Sequence, residues 1–180
     1  QMHKEGVLDA ARALADRLSA RFRVKLDDSE NTPGWKFSEY EMKGVPLRVE
    51  LGPRDIAEGK CVLVSRVDRS KTIVSLDGVE DAVAEKLAAI RDELYEKALA
   101  NRQAHTYDCT SLDEIKQKLR ENGDGFVRAM WCGDPECEDK VKELTEVGSR
   151  CIPFDQEQLS DKCVCCGRPA KKLVYWGKAY

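Results

Sequence analysis

The sequence lacks the features of a membrane protein, a secreted protein or a protein that coats nucleic acid. No apolar run approaches the roughly 20 residues of a membrane-spanning helix, and the first residues do not form a signal peptide. Basic residues are not in excess, because 30 Lys and Arg face 33 Asp and Glu, for a net charge of -3. Proteins that grip a long phosphate backbone usually carry a basic excess. We therefore expect a cytoplasmic protein that binds neither membrane nor DNA, with room only for a small site directed at bases.

Catalytic patterns are also scarce. The sequence has two histidines, His3 and His105, and neither a Gly-rich phosphate loop nor a nucleophile–base arrangement. We therefore do not expect this chain to be a catalyst by itself.

Helical and strand patterns alternate along the chain, which favours an α/β fold in two units that meet near His105. Predicted helices cover residues 5–20, 35–42, 79–103, 110–121 and 136–146. Predicted strands cover residues 22–26, 45–51, 60–66, 71–75, 126–131, 150–154 and 173–176. The helix at 5–20 leads into a strand, and such helices usually follow an earlier parallel strand. We therefore expect the first strand of this sheet to precede residue 1.

The stretch from residue 31 to 55, NTPGWKFSEYEMKGVPLRVELGPRD, combines aromatic rings, carboxylates and guanidinium groups. Single-stranded RNA bases stack on aromatic side chains and form hydrogen bonds along their exposed edges. One carboxylate can accept both N1–H and N2–H of guanine, whose O6 and N7 accept from Arg or Lys. Phe37 and Glu41 share a face of the predicted helix because they lie four residues apart. With Arg48, Arg54 and Asp55, they predict a site for one or two guanines.

The same residues also fit structural roles. Phe37 and Trp35 are compatible with the core, because burial is the commoner fate of aromatic rings. Glu41 fits a surface ion pair of little consequence, and Arg54 with Asp55 fits a turn cap. Residue chemistry alone leaves both interpretations open.

Cysteine usage is uneven, since six of the eight cysteines lie at or after Cys132. Cys132 and Cys137 form a C-x4-C pair, and Cys163 and Cys166 form a C-x2-C pair followed by Gly167. Such pairs are typical of a closed tetrahedral zinc site with a structural role, and a glycine after the second pair permits positive φ.

Three other interpretations of the cysteines remain. Cys163 with Cys165 would make a tighter C-x-C pair, although we favour Cys166 as the ligand and Cys165 as a bystander. Buried free thiols or a redox C-x2-C motif are the alternatives to a metal site, but Gly167, Arg168 and Pro169 argue against the helix that a redox motif needs. Cys151 lies on an apolar segment and is expected in the core.

Several segments carry a resemblance to a known family: PGWKFSEYEMKGVPLRVELGPRD, LYEKALANRQAHT, SRCIPFD between the cysteine pairs, and the terminal GKAY. They resemble the C-terminal portion of prolyl-tRNA synthetases of the archaeal and eukaryotic architectural type. The resemblance covers nearly the whole chain. It implies a class II anticodon-binding domain over residues 1–104, with a mixed sheet flanked by helices. A small zinc-stapled α/β domain would follow over residues 105–180.

The resemblance also implies a function. The partner would be tRNA(Pro), whose anticodon carries guanines at its second and third positions. The residues at the anticodon-contacting positions are Phe37, Glu41, Arg48, Arg54 and Asp55. The four ligands of structural Zn²⁺ would be Cys132, Cys137, Cys163 and Cys166. Tyr180 would lie near the aminoacylation site of the parent enzyme.

Catalysis would belong to a class II core that precedes this chain. That core would use ATP and Mg²⁺ to activate proline, would charge tRNA(Pro), and would form most of a homodimer interface. The alternative is a stand-alone zinc-stapled module that binds RNA or protein.

Overall fold

A computed structural model describes residues 6–123 and 125–179. They form two compact units that divide between Glu96 and Lys97. The helices are α1 (Val7–Ser19), α2 (Pro33–Met42), α3 (Pro53–Ala57), α4 (Val79–Ala104), α5 (Leu112–Asn122) and α6 (Pro135–Thr145). The strands are β1 (Leu47–Glu50), β2 (Lys60–Ser65), β3 (Lys71–Ser75), β4 (Thr106–Asp108), β5 (Phe126–Trp131), β6 (Val147–Cys151) and β7 (Lys172–Lys178). No described helix is long and apolar enough to span a bilayer.

The division between the units lies inside α4, which runs without a break to Ala104. A boundary near His105 was predicted from the end of the helical pattern. That boundary stays a prediction, because a continuous helix gives no loop at which to mark one.

The first unit is built on an antiparallel sheet of order β1-β2-β3. Successive side chains of a strand point to opposite faces. Leu47 and Val49 therefore join Cys61 and Leu63 on one face, and that face packs against α1 and α4. The paired carboxylate of Glu80 and guanidinium of Arg17 link these two helices, with an N–O distance of 2.9 Å. On the opposite face, Arg48 contacts the ring of Phe37 from α2.

Helix α2 begins at Pro33, two residues before the predicted start, and ends at Met42 as predicted. The Thr32 hydroxyl accepts a hydrogen bond from the Trp35 N–H, and Pro33 occupies the first turn. A loop before α2 holds the helix through Lys36, whose ammonium lies 3.3 Å from the Asp27 carboxylate and donates to the Ser29 carbonyl at 2.7 Å. These contacts fix the helix that carries Phe37.

Two predictions for the first unit are wrong. Residues 22–26 alternate apolar and polar side chains, but they form no strand, because they have no ladder partner among the described residues. Phe22 instead packs against the core. The segment with Arg54 and Asp55 is not a turn but the short helix α3, which starts at Pro53.

The second unit has a mixed sheet of order β4-β5-β7-β6. Strands β4 and β5 are parallel, and β7 runs antiparallel to both β5 and β6. One face buries Val127, Val174 and Trp176 against Ile115 of α5 and Val141 of α6. Trp131, the last residue of β5, packs against this core.

Strand β4 was not predicted, because three residues are too few to show a period. It pairs with β5 along all three residues, and its Asp108 carboxylate also accepts two hydrogen bonds from the Arg128 guanidinium of β5, at 2.6 and 2.8 Å. Gly125, at φ +127, precedes β5, and a Cβ there would lie 2.5 Å from the His105 carbonyl oxygen. Only glycine therefore allows the segments that lead into β4 and β5 to lie side by side.

The strand predicted at residues 150–154 lies earlier, at β6, and pairs with β7. Its last residue, Cys151, is exposed rather than in the core. The register shift between Ser149 and Cys151 ends regular pairing there, so the apolar residues beyond it lie outside the sheet.

Candidate nucleic-acid interface and metal centre

Phe37 and Arg48 form a stacked pair in the first unit. Phe37 projects from α2, Arg48 projects from β1, and the guanidinium carbon lies 3.7 Å from the ring centroid. A guanidinium at this distance is attracted by the negative face of the ring. One face of the Phe37 ring is therefore covered by a flat cation.

Two carboxylates hold Arg48 in this position. The Arg48 Nε donates to Glu50 Oε1 at 2.9 Å, and its Nη2 lies 2.9 Å from the same oxygen. Its Nη1 lies 3.4 Å from Glu41 Oε1. The guanidinium thus has a partner on each edge and the aromatic ring beneath it.

Further cations surround the two carboxylates. Arg69 Nη2 lies 3.6 Å from Glu41 Oε2, and Lys71 Nζ lies 3.5 Å from Glu50 Oε2. Arg66 donates from Nε to the backbone carbonyl of Glu41 at 3.2 Å. We call Phe37, Glu41, Arg48, Glu50, Arg69 and Lys71 the α2–β1 face.

Sequence reasoning missed Glu50, Arg66, Arg69 and Lys71. Strand register brings Lys71 to this face, because Arg48 pairs with Val64, and Val64 pairs with Lys71 on the next strand. Residues directly opposite in neighbouring strands share a face of the sheet. The sequence held two signals, the charged turn after β2 and the i, i+2 spacing of Arg48 and Glu50 on one strand.

The α2–β1 face is accessible. The Glu41 side chain is 34% exposed and that of Arg69 is 80% exposed, whereas that of Arg48 is 21% exposed. Phe37 is half-buried, so neither the core role nor the open stacking role foreseen for it fits fully. Trp35 is 51% exposed and is not a core residue.

Arg54 and Asp55 lie on α3 and are not linked to the α2–β1 face by any hydrogen bond or ion pair between described residues. Asp55 accepts the Gly52 N–H through Oδ2 at 2.8 Å, as the structural interpretation predicted. Its other oxygen and the exposed Arg54 guanidinium have no such partner within residues 6–123 and 125–179.

The second unit brings four thiols together. The Sγ atoms of Cys132, Cys137, Cys163 and Cys166 all lie within 4.8 Å of one another. Cys132 follows β5, Cys137 lies on α6, and the other two lie in the turn before β7. Cys166 is exposed and the other three are buried.

Two backbone turns position these thiols. Asp134 caps α6, because its carboxylate accepts the Glu136 N–H at 3.0 Å, and its backbone carbonyl accepts the Trp131 indole N–H at 3.1 Å. In the second turn, the Gly167 N–H donates to the Cys163 carbonyl at 3.1 Å. Gly167 has φ +70, which confirms the positive φ predicted for it.

Electrostatics differ among the thiols. A hydrogen bond from Arg168 lowers the pKa of Cys166 to about 6, whereas burial raises the pKa of Cys137 to about 11. Cys165 is partly buried, packs beside the cluster and lies outside the group of four. Burial also raises its pKa.

Four convergent sulfurs fit a tetrahedral metal ion, since thiolates select soft or borderline metals. The cluster is therefore able to hold a metal ion. Four protein ligands leave no open position for water or substrate, so such a centre would be structural. Tyr180, the remaining predicted site residue, lies outside the described residues.

Two family models match the chain. The model described as "Anticodon binding domain" matches residues 1–86, and the one described as "Prolyl-tRNA synthetase, C-terminal" matches residues 112–180. The first match covers the α2–β1 face, and the second covers the four thiols.

Curated relatives match over nearly the whole chain. The chain is 57% identical over 178 residues to a proline--tRNA ligase of Ruminiclostridium cellulolyticum and 56% identical to one of Clostridium botulinum strain Okra. It is 52% identical to a proline--tRNA ligase of Clostridium novyi. Each match covers 99% of this chain but only 37% of the relative, so the chain spans little more than a third of the relatives' length.

Proposed function

Because the chain belongs to the prolyl-tRNA synthetase family through its anticodon-binding and C-terminal domains, we propose that it recognises the anticodon of tRNA(Pro). It does so as the C-terminal part of a longer proline–tRNA ligase. The observation that carries this proposal is the α2–β1 face, where an aromatic ring, a flat guanidinium and two carboxylates meet at an accessible surface.

Stacking supplies the part of the affinity that does not depend on base identity. A base that lies on the guanidinium of Arg48 extends the existing stack on Phe37, since Arg planes accept bases as aromatic rings do. Glu50 supports this arrangement by holding Arg48 flat. Arg48 then acts through its plane, because its N–H groups already face the carboxylates.

Glu41 supplies discrimination. Its carboxylate accepts N1–H and N2–H of a guanine, a pattern that no other base presents on its Watson–Crick edge. In the free protein, Glu41 faces Arg48 and Arg69. Binding therefore exchanges these pairs for base contacts, and the net gain is the difference between them.

Arg54 and Asp55 serve the second guanine. The free oxygen of Asp55 accepts one donor while Oδ2 continues to cap α3, and the fork of Arg54 suits O6 and N7. The exposure of Arg54 on α3 supports this role, and Asp55 beside it is only half-buried.

The four thiols hold Zn²⁺, and the ion braces the second unit. Thiolate ligands at these spacings favour zinc, and a closed tetrahedral site contributes directly to folding. The residues named by the spacing are the ones that converge in space.

The chemical steps lie in the catalytic core of the longer ligase, which would bind ATP, Mg²⁺ and proline and form the homodimer. The limited share of each relative that this chain covers supports that assignment. A cytoplasmic location follows from the same proposal. We expect no proline-dependent ATP–pyrophosphate exchange by the 180-residue chain. Measurable exchange by the purified chain would contradict that assignment.

The test of anticodon recognition is binding of the chain to a proline anticodon stem-loop and to loops with either guanine replaced by adenine. Glu41→Gln and Asp55→Asn should each reduce discrimination at one guanine by about 1–3 kcal/mol. Glu39→Gln is the matched control, because Glu39 lies on the same helix but pairs with Lys43.

Equal affinity of the wild-type chain for all three loops would refute the proposal. A loss of discrimination in Glu39→Gln as large as that in Glu41→Gln would show that charge, not base reading, is being measured.

A further inference from the structure

Arg168 contacts every one of the four thiol residues. Its Nε donates to Cys166 Sγ at 3.2 Å, and its Nη2 lies 3.8 Å from Cys132 Sγ and 3.7 Å from Cys137 Sγ. Its backbone carbonyl accepts the Cys163 N–H at 2.8 Å. A single residue thus joins both cysteine turns.

The side chain of Arg168 is held in this position by Asp134. The Asp134 carboxylate accepts a hydrogen bond from Arg168 Nη2 and also caps the N-terminus of α6. Part of its negative charge is offset there by the helix dipole. Asp134 follows Cys132 by two residues, so the contact also ties the first cysteine turn to the second.

The charge of the cluster explains why such a contact matters. Four thiolates and one divalent cation carry a net charge of −2, and Cys132, Cys137 and Cys163 are buried. Uncompensated buried charge is costly, and hydrogen bonds to charged groups are about twice as strong as neutral ones. The Arg168 guanidinium is placed to offset the buried negative charge and to donate such hydrogen bonds to the thiolates.

We propose that Arg168 is an outer-sphere positioning residue of the metal centre, which holds the thiolates in place and offsets their charge, with Asp134 as its anchor. This inference rests on the proposed Zn²⁺ site. Outer partners of metal ligands typically change metal affinity 10–100-fold. The sequence placed Arg168 beside the last cysteine pair but gave no reason to assign it a role.

The test is Zn²⁺ affinity of the full chain, measured by competition with a colorimetric chelator. Arg168→Gln should weaken Zn²⁺ binding 10–100-fold. The Zn²⁺ affinity of Arg168→Lys should fall between that of the wild type and that of Arg168→Gln, because lysine keeps the charge but lacks the fork that spans several sulfurs. Arg120→Gln removes the same charge from α5, outside the thiol contacts, and should bind Zn²⁺ like the wild type.

Asp134→Asn separates positioning from folding. Asparagine caps helices as well as aspartate, so α6 is retained while the charge that holds Arg168 is lost. The Asp134→Asn change should weaken Zn²⁺ binding in the wild-type background and have no further effect in the Arg168→Gln background. A role in folding alone would give additive effects.

The outcomes distinguish the inference from the function on which it rests. One tightly bound Zn²⁺ per chain, with affinity unchanged in Arg168→Gln and Arg168→Lys, would overturn the role of Arg168 and leave the zinc site standing. Failure of the wild-type chain to bind Zn²⁺ would overturn the site and the inference together. Additive effects of the two changes would overturn the anchoring role of Asp134.

Discussion

The α2–β1 face and the thiol cluster differ in how the chain holds their functional atoms. On the face, long side chains from α2, β1, β3 and the turn before β3 hold one another through ion pairs such as Arg48 with Glu50. In the cluster, short side chains are placed by two backbone turns, and the thiols of Cys132 and Cys137 are buried. The face can therefore rearrange when a ligand arrives, whereas the cluster is fixed once the backbone is folded.

The same difference predicts that substitutions in the two regions affect different free energies. Partly exposed ion pairs contribute up to about 1 kcal/mol each, whereas a structural metal site contributes folding energy outright. Changes to the cluster should thus affect stability most, and changes to the face should affect binding.

The largest expected effect is that of Cys132→Ser. Loss of one thiolate should abolish stoichiometric Zn²⁺ binding and lower the free energy of unfolding of the second unit by on the order of 3 kcal/mol or more. Urea unfolding is monitored by tryptophan fluorescence in a Trp35→Phe background, where Trp131 and Trp176 of the second unit are the remaining tryptophans, and metal analysis gives the zinc content. Cys151→Ser is the control, since Cys151 is exposed and outside the cluster. Equal zinc content in both variants would show that Cys132 is not required for metal binding, and the contrast between a fixed cluster and an adaptable face would then fail.

A smaller effect, on binding rather than folding, is expected for Phe37→Leu. Loss of the ring beneath Arg48 should weaken binding of the proline anticodon stem-loop by about 1–3 kcal/mol, because base stacking on this surface contributes that much per base. Fluorescence anisotropy of a labelled stem-loop measures the affinity. Trp35→Leu removes an exposed aromatic ring from the same helix and should leave affinity unchanged. A larger loss in Trp35→Leu would place the stacking surface elsewhere on α2.

The smallest expected effect concerns the loop that supports α2. Hydrogen bonds from Ser29 and the ammonium of Lys36 lower the pKa of Asp27 to about 2. A carboxylate whose pKa is depressed on folding stabilises the fold above its unfolded pKa of about 4, and this contribution is lost as the pH falls towards 2. Asp27→Asn should cost about 1 kcal/mol at pH 7, and the cost should shrink as the pH falls below about 4 and vanish only below pH 2.

Chemical denaturation at a series of pH values measures this difference. Asp28→Asn is the control, because the one ion pair of Asp28 within the described part of the chain is an exposed one with Arg12, at 3.5 Å. A cost of Asp27→Asn that does not change with pH would show that the carboxylate has no role in holding α2.

Local patterns predicted most elements of the fold. The bounds of β3 and β5 agree with the predicted strands, and α2 ends where it was predicted to end but starts two residues earlier. The failures have a common cause, since a strand also needs a neighbour. Residues 22–26 have the pattern but no strand partner in the described ranges 6–123 and 125–179, whereas β4 has a partner, β5, and almost no pattern.

The candidate site divides in the same way. Cysteine pairs are close in sequence because each pair occupies one turn, so spacing alone identified the residues that converge. Lys71 belongs to a different strand, and only the register of β1, β2 and β3 brings it near Arg48. A single sequence does not reveal register, so Lys71 was not foreseen. Glu50 lies two residues after Arg48 on β1, so strand alternation alone places it on the same face, and it was missed although the sequence contained that signal.

The pairing of charges on the α2–β1 face has a consequence for the response to salt. The carboxylates of Glu41 and Glu50 already pair with the cations of this face, which are Arg48, Arg69 and Lys71. These cations therefore neutralise few phosphates, and RNA binding at this face releases few counterions. An open basic groove loses affinity steeply as salt rises, because each neutralised phosphate releases ions. The self-neutralised face should give a shallow salt dependence. Its preference is then governed by which bases arrive, and much less by the ionic strength around them.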